Sequence, residues 1–152
     1  MIVDDNMRWM TKAIAQANCA LKKDEVPIGA VIVKDNKIIG KGYNQVESLK
    51  DSTAHAEILA ITSASDSLGD WRLNKSSLYV TKEPCLMCWG AIRNSRISNV
   101  YFGANDEGVN LEILQSKLEF DMPHLSFVEG GILEYDCKKI LQDFFLNNIK
   151  LR

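Results

Sequence analysis

The sequence has no apolar run long enough to cross a membrane. Its longest run extends from Val26 to Val33, whereas a transmembrane helix needs about 20 apolar residues. The first residues also lack the positive charge that precedes the apolar core of a secretory signal, because Asp4 and Asp5 stand in that place. We therefore expect a cytoplasmic protein.

An excess of charge of one sign is also missing. The formal net charge of the 152 residues is −2, so the chain has no basic footprint of the kind that marks many nucleic-acid-binding proteins. A polyanion such as a nucleic acid would therefore have to bind to a local basic patch. Internal repeats, low-complexity tracts and linkers are absent as well, and the length is close to the commonest size of one domain. We expect a single domain over residues 1–152.

What the sequence does contain is an alternation of helical and strand patterns. Apolar residues that recur every three or four positions predict a helix over residues 4–23, and two apolar runs around KDN, 28–33 and 38–43, predict an antiparallel hairpin. The other expected elements are a helix at 53–68, a strand at 78–81, a helix that opens at the cysteine pair, a strand at 99–102, a helix at 109–118, a strand at 125–128 and a helix at 133–146. Such alternation predicts an α/β domain with helices on both faces of its sheet.

The segment TKEPCLMCWG, at residues 81–90, holds two cysteines three positions apart. Such pairs occur in disulfides, redox couples, structural zinc sites and catalytic zinc sites. Disulfides are rare in cytosolic chains, and a structural zinc site needs four protein ligands, whereas this chain has no second CxxC. A thiol redox role stays open. Cys19 and Cys137 lie in predicted helices, where a lone cysteine is usually a small buried hydrophobe.

A further ligand candidate lies upstream, in TAHAEI at residues 53–58. His55 and Glu57 both belong to the first turn of the helix that we predict there. Alone, such a pair is more often a surface contact than a metal site. Together with Cys85 and Cys88, however, His55 makes three ligands suited to Zn²⁺ and leaves a fourth position for water. We predict an open zinc site in which Glu57 is no ligand but moves protons.

The combination of H-x-E with P-C-x-x-C resembles the signature of the zinc-dependent nucleobase deaminases. Other blocks are similar to the bacterial tRNA-specific adenosine deaminases of the cytidine/deoxycytidylate deaminase superfamily: EVPIGAVIVKDNKIIGKGYN at 25–44, DWRL at 70–73, LYVTKEPCLMC at 78–88, GAIRNSRISNVYFGAND at 90–106 and GGILEYDCKKILQDFF at 130–145. This resemblance covers nearly the whole chain. It implies a three-layer α/β/α cytidine deaminase-like fold with a five-stranded mixed sheet, a homodimer, and one Zn²⁺ per subunit with water as its fourth ligand.

The resemblance also implies an activity and the residues that perform it. The activity is hydrolytic deamination of the wobble adenosine in a tRNA anticodon loop to inosine, with release of ammonia. His55, Cys85 and Cys88 match the zinc ligands of the family, and Glu57 matches its proton shuttle. The positions that match substrate contacts are Asn44, at the edge of the base, Val26, beside the flipped base, Asp106, near the ribose, and Phe144 and Phe145, near the RNA.

Three features depart from the pattern of the family. Between residues 105 and 121 there are five acids and one lysine, and this acidity opposes phosphate binding. Lys82 replaces the apolar residue usual before EPC, and Trp89 replaces a small residue after the second cysteine. We expect both beside the metal. The alternatives are a deaminase of a free nucleobase or nucleoside, of the cytosine or guanine type, a non-catalytic zinc module and a thiol redox protein.

Overall fold

Five strands form a mixed sheet in the structure, a computed structural model that describes residues 4–108 and 110–150. The strands are β1 (Gly29–Lys34), β2 (Lys37–Tyr43), β3 (Ser77–Lys82), β4 (Asn99–Ala104) and β5 (Phe127–Glu129). Their order across the sheet is β2-β1-β3-β4-β5. β1 pairs antiparallel with β2 and β3, whereas β3 with β4 and β4 with β5 are parallel. The expected five-stranded mixed sheet is confirmed.

The helices alternate with these strands along the chain. They are α1 (Asp5–Lys22), α2 (Val46–Leu49), α3 (Ala56–Leu68), α4 (Leu86–Ser95), α5 (Leu111–Lys117) and α6 (Glu134–Lys150). No helix in the described part of the chain is long and apolar enough to cross a membrane.

Side chains of β1 alternate between two apolar clusters, because successive residues of a strand point to opposite faces of a sheet. Ala30 and Ile32 belong to a cluster with residues of α3, α4 and α5. Val31 and Val33 belong to a second cluster with residues of α1 and α6. Helices therefore cover both faces of the sheet, and the predicted three-layer α/β/α arrangement is confirmed.

The start of α3 differs from the prediction. The helix begins at Ala56 and not near Thr53, because the carboxylate of Asp51 accepts hydrogen bonds from the backbone N–H and the hydroxyl of Thr53 at 2.8 and 2.7 Å. These bonds hold a turn ahead of the helix. His55 follows in an extended conformation, with ψ 154°, and becomes the N-cap of α3. His55 is therefore the residue just before α3 and does not belong to the first turn of the helix.

Two other elements differ in smaller ways. The short helix α2 was not predicted, since its four residues carry no periodic apolar pattern. β5 begins at Phe127 and not near Leu125, because the N–H of Leu125 donates to the carbonyl of Met122 at 3.2 Å and closes a turn. Cys137 is buried as expected, and Cys19 is half-buried.

The position of α3 depends on two glycines of β2. A Cβ on Gly42 would lie 2.5 Å from the carbonyl oxygen of Ala56 and 2.6 Å from the nitrogen of Ala60. A Cβ on Gly40 would lie equally close, 2.5 Å from the carbonyl oxygen of Ala60. The backbone of α3 thus rests directly on β2 and fixes the end of α3 that His55 caps.

We expect Gly42→Ala to destabilise the protein and to loosen the start of α3. The added methyl group must push against backbone atoms, which costs roughly 1–3 kcal/mol of unfolding free energy. Gly90→Ala in α4 is the matched control, because no atom lies within 4 Å of its Cβ position and alanine is the better helix former by up to about 1 kcal/mol. Denaturant unfolding of both variants checks this, and equal stabilities would contradict the close contact.

Candidate active site

The N-termini of α3 and α4 meet at one edge of the sheet and bring together three side chains that can bind a metal ion. His55 caps α3 and Cys85 caps α4, both in extended conformations, and Cys88 lies one turn into α4. The Nδ1 atom of His55 lies 3.6 Å from the Sγ atom of Cys85 and 3.6 Å from that of Cys88. All three donor atoms are within 4.8 Å of one another. The ligand set predicted from the sequence is therefore gathered at one point.

These distances fit a zinc ion. With Zn–S near 2.3 Å and Zn–N near 2.0–2.1 Å, a tetrahedral site places nitrogen and sulfur ligands roughly 3.6 Å apart. Both distances from His55 Nδ1 to the sulfurs have that value. One imidazole and two thiolates also suit Zn²⁺ chemically, and three protein ligands are the number found in catalytic zinc sites. The group can thus hold a metal ion, and its donor atoms favour zinc.

The two thiols are not equivalent. The pKa of Cys85 is lowered to about 3, because its sulfur accepts hydrogen bonds from Cys88 and from His55. The same contact with Cys85 raises the pKa of His55, although burial opposes this. The pKa of Cys88 is raised, because it donates to Cys85 and is buried. Cys85 is therefore a thiolate, whereas Cys88 keeps its proton. A metal ion that binds both sulfurs would displace the proton of Cys88.

Glu57 lies beside the ligand atoms but outside the group that they form. Its side chain is buried, with 4% of the residue exposed. Burial raises the pKa of Glu57, while a hydrogen bond from the Cys88 thiol and the charge of His55 oppose the rise. A carboxyl group in such surroundings can hold a proton nearer to neutral pH than an exposed one.

A cavity of about 540 Å³ opens in front of these residues. This volume lies within the range of roughly 300–1,000 Å³ that is usual for small-ligand sites. His55, Glu57 and Cys85 line it. So do all the residues that we predicted as substrate contacts: Val26, Asn44, Asp106, Phe144 and Phe145. The structure thus places them around one space, although they come from four separate segments.

Asn44 has an amide group that the protein itself does not use. The residue is 7% exposed and its backbone N–H donates to the carbonyl of Ile28 at 3.0 Å. Among the described residues, nothing forms a hydrogen bond with its side chain. A side-chain amide offers both donors and an acceptor, so Asn44 can bind a polar ligand in the cavity that it lines.

The role of Glu25 was not predicted from the sequence. This residue is 1% exposed, and its carboxylate accepts hydrogen bonds from the Glu47 N–H, the Ser48 N–H and the Ser48 hydroxyl at 2.9, 2.8 and 2.7 Å. Burial alone would raise the pKa of Glu25, but these bonds outweigh it and lower the pKa. The only signal in the sequence is an acid next to the apolar run that starts at Val26. Glu25 thereby anchors α2, in the loop between Asn44 and His55.

Glu83 forms a similar hydrogen bond between two other segments that line the cavity. Its carboxylate accepts a hydrogen bond from the N–H of Asp106 at 2.8 Å. Only 9% of Glu83 is exposed, and burial raises its pKa against the effect of that bond. The bond joins the segment after β3 to the segment after β4, and both segments contribute residues to the cavity.

The two unusual neighbours of the cysteine motif have different surroundings. Lys82 lines the cavity, as expected, and its Nζ lies 3.7 Å from Oδ2 of Asp106. The expectation for Trp89 is wrong. Its side chain is fully buried in the apolar cluster under α4, and Trp89 is absent from the described residues that line the cavity. The cause is the direction of the helix face: Trp89 follows Cys88 by one residue and points to the core.

Comparison with known proteins identifies relatives over nearly the whole chain. The sequence model of the MafB19-like deaminases matches residues 4–148. The tRNA-specific adenosine deaminase of Streptococcus pyogenes serotype M1 is 41% identical over 146 residues, which cover 94% of this chain and 85% of the relative.

Solved structures agree with this result. A structure from a study of A-to-I editing by tRNA:A34 deaminases matches with a TM-score of 0.79 and 39% identity, over 88% of this chain and 99% of the other. The guanine deaminase of Bacillus subtilis matches with a TM-score of 0.63 and 34% identity, over 75% of this chain and 76% of the other.

Fold, donor atoms and relatives together define an enzyme, a hydrolytic deaminase with the cytidine deaminase-like fold. More narrowly, the chain belongs to the MafB19-like deaminase family, since that family's model covers most of its length. The resemblance to tRNA-specific adenosine deaminases, which the motifs predicted, is confirmed.

We expect Glu25→Gln to lower both stability and activity. The substitution removes the charge and replaces one carboxylate oxygen by an NH₂ group, so that at least one of the N–H donors of residues 47 and 48 loses its acceptor. The loss of unfolding free energy should be roughly 1–3 kcal/mol. Glu129→Gln, the same change at an exposed residue of β5, serves as the control. Denaturant unfolding and steady-state kinetics check this, and two variants of equal stability would show that the anchor is dispensable.

Proposed function

We propose that the protein is a zinc-dependent deaminase that converts the wobble adenosine of a tRNA anticodon to inosine. One observation carries the proposal: His55, Cys85 and Glu57 line the same cavity as Asn44, whose amide is free to read a base. The names of the relatives support the choice of substrate. We further propose that residues 1–152 act as one deaminase domain.

Zinc bound by His55, Cys85 and Cys88 would act as a Lewis acid that makes water a nucleophile near neutral pH. Glu57 is placed to do the proton transfers. It accepts a proton from the attacking water and donates it to the ring nitrogen of the adenine. It then takes the second proton from the hydroxyl group now bonded to the ring carbon and gives it to the amino group, which leaves as ammonia. The burial of Glu57 keeps bulk water from exchanging these protons.

The remaining residues of the cavity would bind and orient the base. Asn44 offers its amide to the polar edge of the base, while Val26 and Phe145 supply apolar surface on which a ring can lie. Asp106, in the segment after β4, would receive the ribose. An adenosine in the anticodon loop is unpaired, so it can be turned into such a cavity at modest cost.

A homodimer is part of the proposal, because the family resemblance implies it. Light scattering should give twice the mass of the 17.1 kDa chain. A mass of 17.1 kDa at micromolar concentration would remove this part of the proposal.

We expect Glu57→Gln to keep the metal and lose the activity. Glutamine has the same shape but cannot carry a proton between water and base, so turnover should fall by about 10²-fold or more. Zinc content measured by mass spectrometry should stay at the wild-type level, because Glu57 is outside the ligand group. Glu112→Gln on the exposed side of α5 is the control. Wild-type turnover in Glu57→Gln would remove Glu57 from the mechanism.

The substrate can be tested with a panel. We expect zinc-loaded protein to form inosine from an anticodon stem-loop that starts its anticodon with adenosine, and to leave the same stem-loop with guanosine there unchanged. Adenosine, cytidine, cytosine and guanine are offered in parallel, and ammonia is measured in every reaction. Ammonia from the small molecules alone would contradict the proposal and favour a free-base deaminase, such as the guanine deaminase that the fold also resembles.

A further inference from the structure

The charges around the cavity are unevenly divided. Among the described residues that line it, six are acidic and a single one, Lys82, is a lysine or arginine. The acidic residues are Asp24, Glu25, Glu47, Glu57, Glu83 and Asp106. A nucleoside inside an RNA strand brings a phosphate on each side. A cavity of this composition would repel both phosphates unless a cation stands where they pass.

Internal hydrogen bonds of the protein already hold several of these acids. Glu25 accepts three hydrogen bonds from residues 47 and 48, and Glu83 accepts one from the N–H of Asp106. Both are almost fully buried. Asp106 also accepts a hydrogen bond, from the N–H of Gly108 at 2.8 Å, but it is less buried, since 30% of its side chain is exposed. It is therefore an acid that an entering strand would meet near the surface, and it is the one that Lys82 accompanies.

The sheet fixes the place of Lys82 beside Asp106. Lys82 is the last residue of β3 and pairs with Ala104, the last residue of β4, and Asp106 follows two positions later. The side chain of Lys82 is 38% exposed, so the ammonium group reaches the surface at the cavity. Its position therefore follows from backbone pairing and does not depend on a mobile loop.

The N–H donors of Lys82 are available to a ligand. The distance of 3.7 Å from Nζ to Oδ2 of Asp106 is an ion pair but too long for a hydrogen bond. Within the described residues, Nζ donates to no other atom. An ammonium group has three N–H donors, so Lys82 can neutralise part of the charge of Asp106 and still bind an anionic oxygen.

We propose that Lys82 is a specificity-determining residue whose ammonium group binds a phosphate next to the target nucleoside and so favours an RNA strand over a free base or nucleoside. This inference rests on the proposed function, because it assumes that the cavity takes its nucleoside from a strand. It also gives a role to the residue that departs from the apolar residue usual in front of the EPC motif.

The test compares Lys82→Met with Lys82→Arg. Binding of the anticodon stem-loop is measured by fluorescence anisotropy over a series of salt concentrations, in the zinc-loaded Glu57→Gln background so that the RNA is not converted. Lys82→Met should bind about tenfold or more weakly, since it loses a charge-assisted hydrogen bond. Its slope of log affinity against log salt should be lower by about 0.7–1. Lys82→Arg should retain most of the affinity and the full slope.

The control is Lys12→Met on α1, which removes the same charge from an exposed residue that does not line the cavity. It should bind as the parent does. An unchanged affinity and slope in Lys82→Met would overturn the inference, and so would an equal loss in Lys12→Met, which would point to net charge alone. Conversion of the stem-loop is recorded separately in protein with wild-type Glu57, where Lys82→Met should lower kcat/KM by about the same factor as it lowers the affinity.

A second comparison separates a phosphate contact from simple neutralisation of Asp106. Lys82→Met is introduced into the Asp106→Asn background. If Lys82 contacts a phosphate, the loss of affinity persists there at about the same size. If Lys82 only offsets the charge of Asp106, the loss disappears, and the phosphate contact is refuted. Absence of inosine from the stem-loop with wild-type protein would instead refute the proposed function, while the binding series would still decide the role of Lys82.

Discussion

The meeting of two helix N-termini is the contact on which the rest of this site depends. His55 caps α3 and Cys85 caps α4, and their side chains touch across 30 residues of sequence. Different parts of the fold hold the two helices at this point. α4 follows directly from β3, whereas α3 is held against β2 by backbone contact at Gly40 and Gly42. A small displacement of either helix would pull the nitrogen away from the sulfurs.

The same edge of the sheet carries the walls of the cavity. The carboxyl ends of β2, β3 and β4 and the residues just after them supply Asn44, Lys82 and Asp106, and α6 closes the space with its two phenylalanines. Two buried carboxylates, Glu25 and Glu83, hold these segments by hydrogen bonds to backbone N–H groups. Acids therefore serve as anchors on either side of the site, and the surplus of negative charge is a consequence of that construction. A cation at the surface becomes necessary if the ligand is itself an anion.

The sequence predicted much of this because its strongest signals are local. Strand runs, helix periodicity and the spacing of His55, Glu57, Cys85 and Cys88 could all be read along the chain, and so could the three layers. The start of α3 could not, since a turn at Asp51 competes with the helical pattern. The hydrogen bonds of Glu25 join residues more than 20 positions apart, and no periodic pattern reports such a pair. Trp89 was misplaced because adjacency in sequence does not set the direction of a side chain on a helix.

The central claim is that His55, Cys85 and Cys88 bind one zinc ion and leave one position open. X-ray absorption spectroscopy at the zinc edge of the metal-loaded protein tests it most directly. We expect two sulfur ligands at about 2.3 Å, one imidazole nitrogen and one further light atom at about 2.0–2.1 Å. The water ligand should exchange for an added anion such as azide without loss of the sulfur shell. A spectrum with four sulfur ligands, or protein that retains no stoichiometric zinc, would contradict the account.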